Sequence, residues 1–272
     1  KKSGELLVFG SPRDSNGIAR IAKLRLEDSF DAAGYHELAL DLGEPGCFDD
    51  NGVMPGCIFE YNGRLFMYYM GFQLVDKIKF YAFTGLLESN DDGENWIRRS
   101  KTPVLDRSDN GLFVRAIYDI VKLGNQKWRI FYSAASRWEV INGVNYGPTE
   151  IFYADVDNPL DLSGVTGIKL PFTDDFNYRV GHPKVSLNQT TGVYEMYCNS
   201  DNVNKEYSYR KFTSSDLSTW VEVEKDLPPG ENNEWDGLML TYPAVYNIND
   251  NRIVLYNGND MGREGFGILV EE

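Results

Sequence analysis

The sequence predicts an all-β fold, a five-bladed β-propeller of four-stranded antiparallel blades that spans residues 1–272 as a single domain. Three observations lead there. Residues 43–72, GEPGCFDDNGVMPGCIFEYNGRLFMYYMGF, place a Gly-rich turn before a strand at 53–60, then Asn62-Gly63, then an aromatic strand at 65–70. Asn-Gly allows φ > 0 at both turn positions, which suits a tight antiparallel hairpin. The same arrangement recurs at 114–123 with 128–132, at 179–187 with 194–197, and at 241–248 with 253–256. Tyr69, Tyr132, Tyr197 and Tyr256 mark it with a period of about 60 residues. No helical pattern runs longer than a turn or two. Repeats made mostly of strand, unable to cover their own apolar faces, pack as blades.

Taken in order, 5–9 and 18–26 read as short strands joined by the turn-rich segment 11–17. They look like the middle of a blade without its first strand, so four inner strands meet five outer portions. Either the C-terminal segment supplies that strand or about 20–40 residues precede Lys1, and the second is the expectation favoured here. Segment 31–42 has no strong pattern. After the central hairpin, 80–88 is a third strand, and Ser89 to Trp96 follows S-x-D-x-G-x-x-W, the "Asp-box" spacing of sialidase-type propellers. That motif holds a hairpin and is read as structural; residues 215–220 echo it. A six-bladed sialidase would need roughly one more 60-residue repeat. In the second repeat, 111–171, Arg115 leads the inner strand, and loop 137–149 is polar and Gly-rich and carries Trp138 and Glu139. The third repeat opens at Asp174 and runs through Arg179 to His182-Pro183. The fourth opens at Glu234 and runs through Asp236 to Tyr242-Pro243.

Composition excludes several partners. With 41 Asp and Glu against 27 Lys and Arg, the net charge of −14 opposes a phosphate-backbone partner. Three cysteines without a C-x-x-C pair indicate neither a disulfide framework nor a zinc site. No apolar run reaches the roughly 18 residues of a membrane span, so no membrane insertion and a cytoplasmic location are expected. There is no P-loop, G-x-S-x-G or H-E-x-x-H, and no cofactor is called for. Aromatics make up 14% of the chain, with 17 Tyr, which fits strand cores and also fits a surface that stacks sugars.

Leu42-Gly43-Glu44-Pro45-Gly46 followed by Phe48-Asp49-Asp50-Asn51-Gly52-Val53-Met54-Pro55 resembles the signature of uncharacterised glycosidase-like proteins. These belong with the five-bladed propeller glycoside hydrolases, relatives of families 32, 43, 68 and 130. Arg13-Asp14, Trp138-Glu139, Tyr256-Asn257-Gly258-Asn259 and Gly265-Phe266-Gly267 extend the resemblance over almost the whole chain. It implies a carbohydrate-active enzyme cleaving a glycosidic bond in an oligo- or polysaccharide, with carboxylates projecting from inner strands into a central pocket. Two positions depart from the pattern. Arg115-Ala116-Ile117 stands where relatives commonly show Arg-Asp-Pro, and Trp235-Asp236-Gly237-Leu238-Met239 where Trp-Asp-Ser-Glu-Met is expected. A phosphorylase and a catalytically silent glycan-binding propeller are the competing functions.

Glycoside hydrolysis uses a carboxylic acid and a second carboxylate, about 5 Å apart for retention and about 6.5–9.5 Å for inversion. Asp50, at the mouth of the first inner strand, is the expected base or nucleophile, set against an ordinary turn aspartate. Glu139 is the expected acid, its pKa raised by Trp138, set against a solvated loop glutamate. Asp119 shares a strand face with Arg115 and is a further catalytic candidate, or half of a salt bridge. Arg13, Asp49, Arg115, Trp138, Arg179, His182, Asp236, Tyr242 and Asn257 are the expected substrate contacts. Arg115, Arg179 and His182 at inner-strand starts would suit an anionic sugar or phosphate, unless each arginine only pairs with a nearby acid.

Overall fold

A computed structural model describes residues 5–27, 36–124, 126–172, 178–203, 207–225, 235–248, 251–263 and 265–271. Residues 174–177 and Glu234, which open the third and fourth repeats, lie outside the described residues. The described residues form twenty strands and one four-residue helix. Contacts divide the chain into two compact units. The first is Lys1–Ile130, Ala134–Gly147 and Ala154–Gly167; the second is Phe131–Ser133, Pro148–Tyr153 and Ile168–Glu272.

In the first unit, β1 (Glu5–Gly10), β2 (Ile21–Glu27) and β3 (Glu37–Leu40) form an antiparallel sheet. A second meander follows: β4 (Val53–Tyr61), β5 (Arg64–Leu74), β6 (Phe80–Ser89) and β7 (Ile97–Arg98). β8 (Val114–Leu123) touches β6 in parallel through Ala82–Val114 and Phe83–Arg115, and β9 (Lys127–Ala135) pairs with β8. A small hairpin, β10 (Glu139–Ile141) with β11 (Val144–Tyr146), precedes β12 (Glu150–Val156). The boundary between the units runs through β9 and β12.

The second unit adds β13 (Ile168–Lys169), paired with Phe152 and Tyr153 of β12. Its four-stranded sheet is β14 (Arg179–Leu187), β15 (Tyr194–Asp201), β16 (Tyr207–Ser214) and β17 (Val221–Lys225). Its three-stranded sheet is β18 (Thr241–Ile248), β19 (Asn251–Asn257) and β20 (Phe266–Glu271), with the short helix α1 (Asn259–Gly262) between the last two.

Local sequence explains these elements. Asn62 and Gly63 sit at φ 51° and 73°, the left-handed pair of a two-residue hairpin turn, and Tyr61 faces Arg64 across it. Residues 66–71 of β5 are all buried, because both faces of that strand are covered. Tyr69 packs there with Val53, Phe48, Phe83 and Trp96. Each such side chain contributes roughly 1.5–3 kcal/mol by leaving water. The Asp-box forms as read. Asp91 accepts bonds from Asn95 N–H (2.9 Å) and Ser89 Oγ (2.9 Å), and buried Trp96 meets Phe9 edge-on.

Four readings need correction. The second strand begins at Ile21, three residues late, because Asp14 accepts from Asn16 and Ile18 N–H and prolongs the turn. Segment 31–42 yields β3 at its end. Loop 137–149 carries the β10–β11 hairpin, whose tip Asn142-Gly143 repeats the φ > 0 pair at 51° and 79°. The Asp-box echo is anchored on Ser214, one residue earlier than read: its Oγ accepts from Leu217 N–H and lies 3.1 Å from Asp216.

Candidate functional site

The turn before β4 is closed by its own backbone. Gly43 N–H donates to Asp49 O, Cys47 N–H to Glu44 O and Asp50 N–H to Cys47 O. Gly52 and Asn51 then lock onto Phe72 of β5. Asp50 is half-buried: its Oδ2 accepts from Gly46 N–H at 2.8 Å, and its Oδ1 accepts nothing among the described residues. The backbone bond expected of a turn aspartate is therefore present, and one oxygen is still free. Asp49 differs sharply. It is 1% exposed, and its Oδ2 accepts from Tyr69 Oη (2.8 Å) and Arg98 Nε (2.7 Å). Asp49, expected as a substrate contact, is thus enclosed by Tyr69 and Arg98.

The other first-unit residues are placed as follows. Arg115 is buried and donates to two carbonyls, Asp106 O (2.7 Å) and Val165 O (2.9 Å). It lines a cleft of about 390 Å³ with Ser100, Arg107, Leu160 and Ser163, none of them an expected site residue. Asp119 Oδ1 accepts from the N–H of Ile120. Trp138 stacks on Phe113 at 4.9 Å, and its indole Nε1 is buried without a partner among the described residues. Glu139 does not meet the expected desolvation: its side chain is 38% exposed and ion-paired with Arg137. Arg13 is exposed, in an isolated bridge with Ala19.

The second unit holds a more constrained group. His182 and Tyr242 each precede a proline, each lie at a β-bulge, and each take a left-handed backbone, φ 57° and 54°. A bulky residue before proline is disfavoured there, so both positions are strained by about 1–3 kcal/mol. The bulges aim the two rings at each other, 5.1 Å between centroids. His182 N–H donates to Ser133 Oγ and Tyr242 N–H to Asn199 Oδ1, both at 3.0 Å. His182 is half-buried by area, yet its Nδ1 is sealed from solvent. Burial, then the Lys184 charge, hold its pKa well below the ordinary histidine range. The ring is neutral at pH 7.

Arg179 donates through Nε (2.7 Å) and Nη2 to buried Asp201, and through Nη2 to Tyr207 Oη. Burial lowers its pKa most, but the Asp201 bond and charge outweigh that and leave it raised. Its charge is neutralised inside the protein, so an anion expected at Arg179 and His182 meets one compensated cation and one neutral ring. Asp236 is 8% exposed. Its Oδ2 accepts from Tyr256 Oη at 2.8 Å, and its Oδ1 is buried without a partner among the described residues. Trp235 stacks on Tyr256, whose pKa is pushed up to about 12 by burial and then by Asp236. Asn257 pairs with Thr241 across β18–β19, and a Cβ at Gly262 would fall 2.8 Å from its Cγ.

No family model matches the chain. The uncharacterized protein Rv1502 of Mycobacterium tuberculosis is 27% identical over 240 residues, covering 87% of this chain and 77% of that protein. Among solved structures, one described as a glycoside hydrolase has a TM-score of 0.69 at 16% identity over 100% of this chain and 85% of its own. A thermostable family-43 glycoside hydrolase has a TM-score of 0.66 at 14% identity over 100% and 91%. The chain shares the fold of these solved glycoside hydrolases. On that fold the sequence reading missed three polar residues. Arg98, the partner of Asp49, sits on a two-residue strand that no pattern announces. Asn199 and Thr241 are buried with Nδ2 and Oγ1 unpartnered among the described residues, and both lie inside strands that read as apolar. Only the Pro183 and Pro243 equivalence pointed towards them.

Proposed function

We propose that the chain is a carbohydrate-active enzyme of the glycoside hydrolase type, with Asp50 as base or nucleophile. The carrying observation is the state of Asp50: one oxygen fixed by Gly46 N–H, the other free, at the start of β4. A base or nucleophile needs a carboxylate held in orientation with one lone pair open to the reacting centre. Several structures that share the fold are named as glycoside hydrolases, which supports the reaction class. We take the sheets as five blades. Glu139 acts as proton donor once substrate draws it from Arg137, with Asp119 as the alternative.

The test is turnover of neutral and acidic oligosaccharides and aryl glycosides, with and without phosphate. Asp50→Asn is expected to lower kcat by about 10²-fold or more and to leave affinity nearly intact. Glu139→Gln is expected to matter most for substrates with poor leaving groups. Turnover undiminished in both variants overturns the assignment, and turnover only with phosphate makes the enzyme a phosphorylase. A silent glycan-binding propeller is the second reading. It is favoured by the Arg137–Glu139 pair and by Ala116 and Leu238, apolar at positions where the family resemblance implies carboxylates. It predicts binding without turnover, with Asp50→Asn altering affinity alone.

A further inference from the structure

We infer that Asp49, clamped by Tyr69 and Arg98, is a positioning residue that sets the Asp50 carboxylate; its catalytic consequence rests on the hydrolase reading above. The clamp is built rather than incidental. Asp49 occupies a cradle that glycines keep open: a Cβ at Gly43 would lie 2.0 Å from Asp49 Oδ1, and one at Gly71 2.5 Å from Asp49 Cβ. A Cβ at Gly85 would lie 2.3 Å from the Tyr69 ring. Arg98 spans the turn, donating through Nε to Asp49 Oδ2 and through Nη2 to Asp41 O. Asp41 is in turn held by Arg20 at 2.8 Å.

A buried ion pair is weak evidence for stability, since apolar residues of like volume often do as well. What this pair supplies is place. The Asp49 side chain is pinned in the core while its carbonyl closes the turn on Gly43 N–H. The next residue, Asp50, then has its Oδ2 caught by Gly46 N–H and its Oδ1 without a partner among the described residues. Rotation of the Asp49 peptide moves both. Misplacing a reacting group by about 1 Å costs on the order of 10²-fold in rate.

Three variants test this, with rates normalised to folded protein. Tyr69→Phe removes one donor and keeps the ring, Asp49→Asn removes the charge, and Gly43→Ala displaces Asp49 by contact alone. Each is expected to lower kcat, by about tenfold for Tyr69→Phe and about 10²-fold for the others, with KM within about twofold of the parent. Arg98→Lys is expected to retain more activity than Arg98→Met. Unchanged kcat in folded Asp49→Asn and Gly43→Ala overturns the inference and leaves the hydrolase reading standing. The Gly46 amide proton provides a readout without turnover. Its hydrogen exchange is expected to quicken at least tenfold in Asp49→Asn and Gly43→Ala, with β5–β6 amides unchanged. If the parent cleaves no glycan and Gly46 responds so, the hydrolase reading fails and the positioning role holds. If Gly46 exchange is unaltered, the positioning role fails.

Discussion

His182 and Tyr242 show how far single residues could be read. The sequence placed both before a proline at equivalent points of two repeats, and the structure finds the same bulge and the same left-handed backbone at each. It had no means of announcing Asn199, Ser133 or Asp201, because these partners lie 43, 49 and 22 residues away from the groups they bond. Distance in sequence also hid the fate of Asp49, whose clamp closes on Arg98, 49 residues on. The left-handed backbone at His182 sets a stability prediction. Asn tolerates that region and β-branched residues do not. His182→Val is expected to be less stable than His182→Asn by roughly 1–2 kcal/mol, the penalty of a left-handed Cβ. Urea midpoints of the two variants decide it: equal midpoints would mean the strain is not held.

Elements were more legible than residues where a dipeptide fixed the turn. Asn62-Gly63 announces its hairpin, whereas Asn142-Gly143 carries the same signal between flanking runs of only three residues, too short to stand out as strands. The Asp-box was read from its spacing, and the pH dependence of its anchors follows from the structure. Asp91 is lowered to about 2, chiefly by the Asn95 side chain, and Asp216 to about 2 by Thr219 and Ser218 N–H. Glu94 is lowered to about 2 by Arg25 and Lys23, which carry it to β2. A carboxyl whose pKa is depressed on folding contributes stability above its unfolded value and loses it as pH falls through the folded one. Stability is therefore expected to be level above about pH 5 and to fall steadily from about pH 4.5 to pH 2. Denaturation midpoints across that range should show it, and Glu94→Gln should flatten the slope. A slope in Glu94→Gln as steep as the parent's would separate the motif from the acid response.

At the scale of the whole molecule, the period of about 60 residues announced repeated sheets, because strands facing one another must recur with the unit that buries them. The division into two compact units was not announced: no linker, charge run or Pro-rich segment marks it in the sequence. The reason lies in where the division falls. It cuts β9, giving Ala134 and Ala135 and the start of the strand to one unit and Phe131–Ser133 to the other, and it cuts β12 at Tyr153. A strand cannot lose its middle residues to unfolding and keep its ladder on either side, since each residue is fixed by the bonds of its neighbours. Unfolding either strand therefore takes residues of both units with it, although a chain of 272 residues exceeds the size at which two-state unfolding is the rule. A single calorimetric transition is expected, with van't Hoff and calorimetric enthalpies equal. Two resolved transitions, or a van't Hoff enthalpy near half the calorimetric one, would mean that β9 and β12 break at the boundary and that each unit folds on its own.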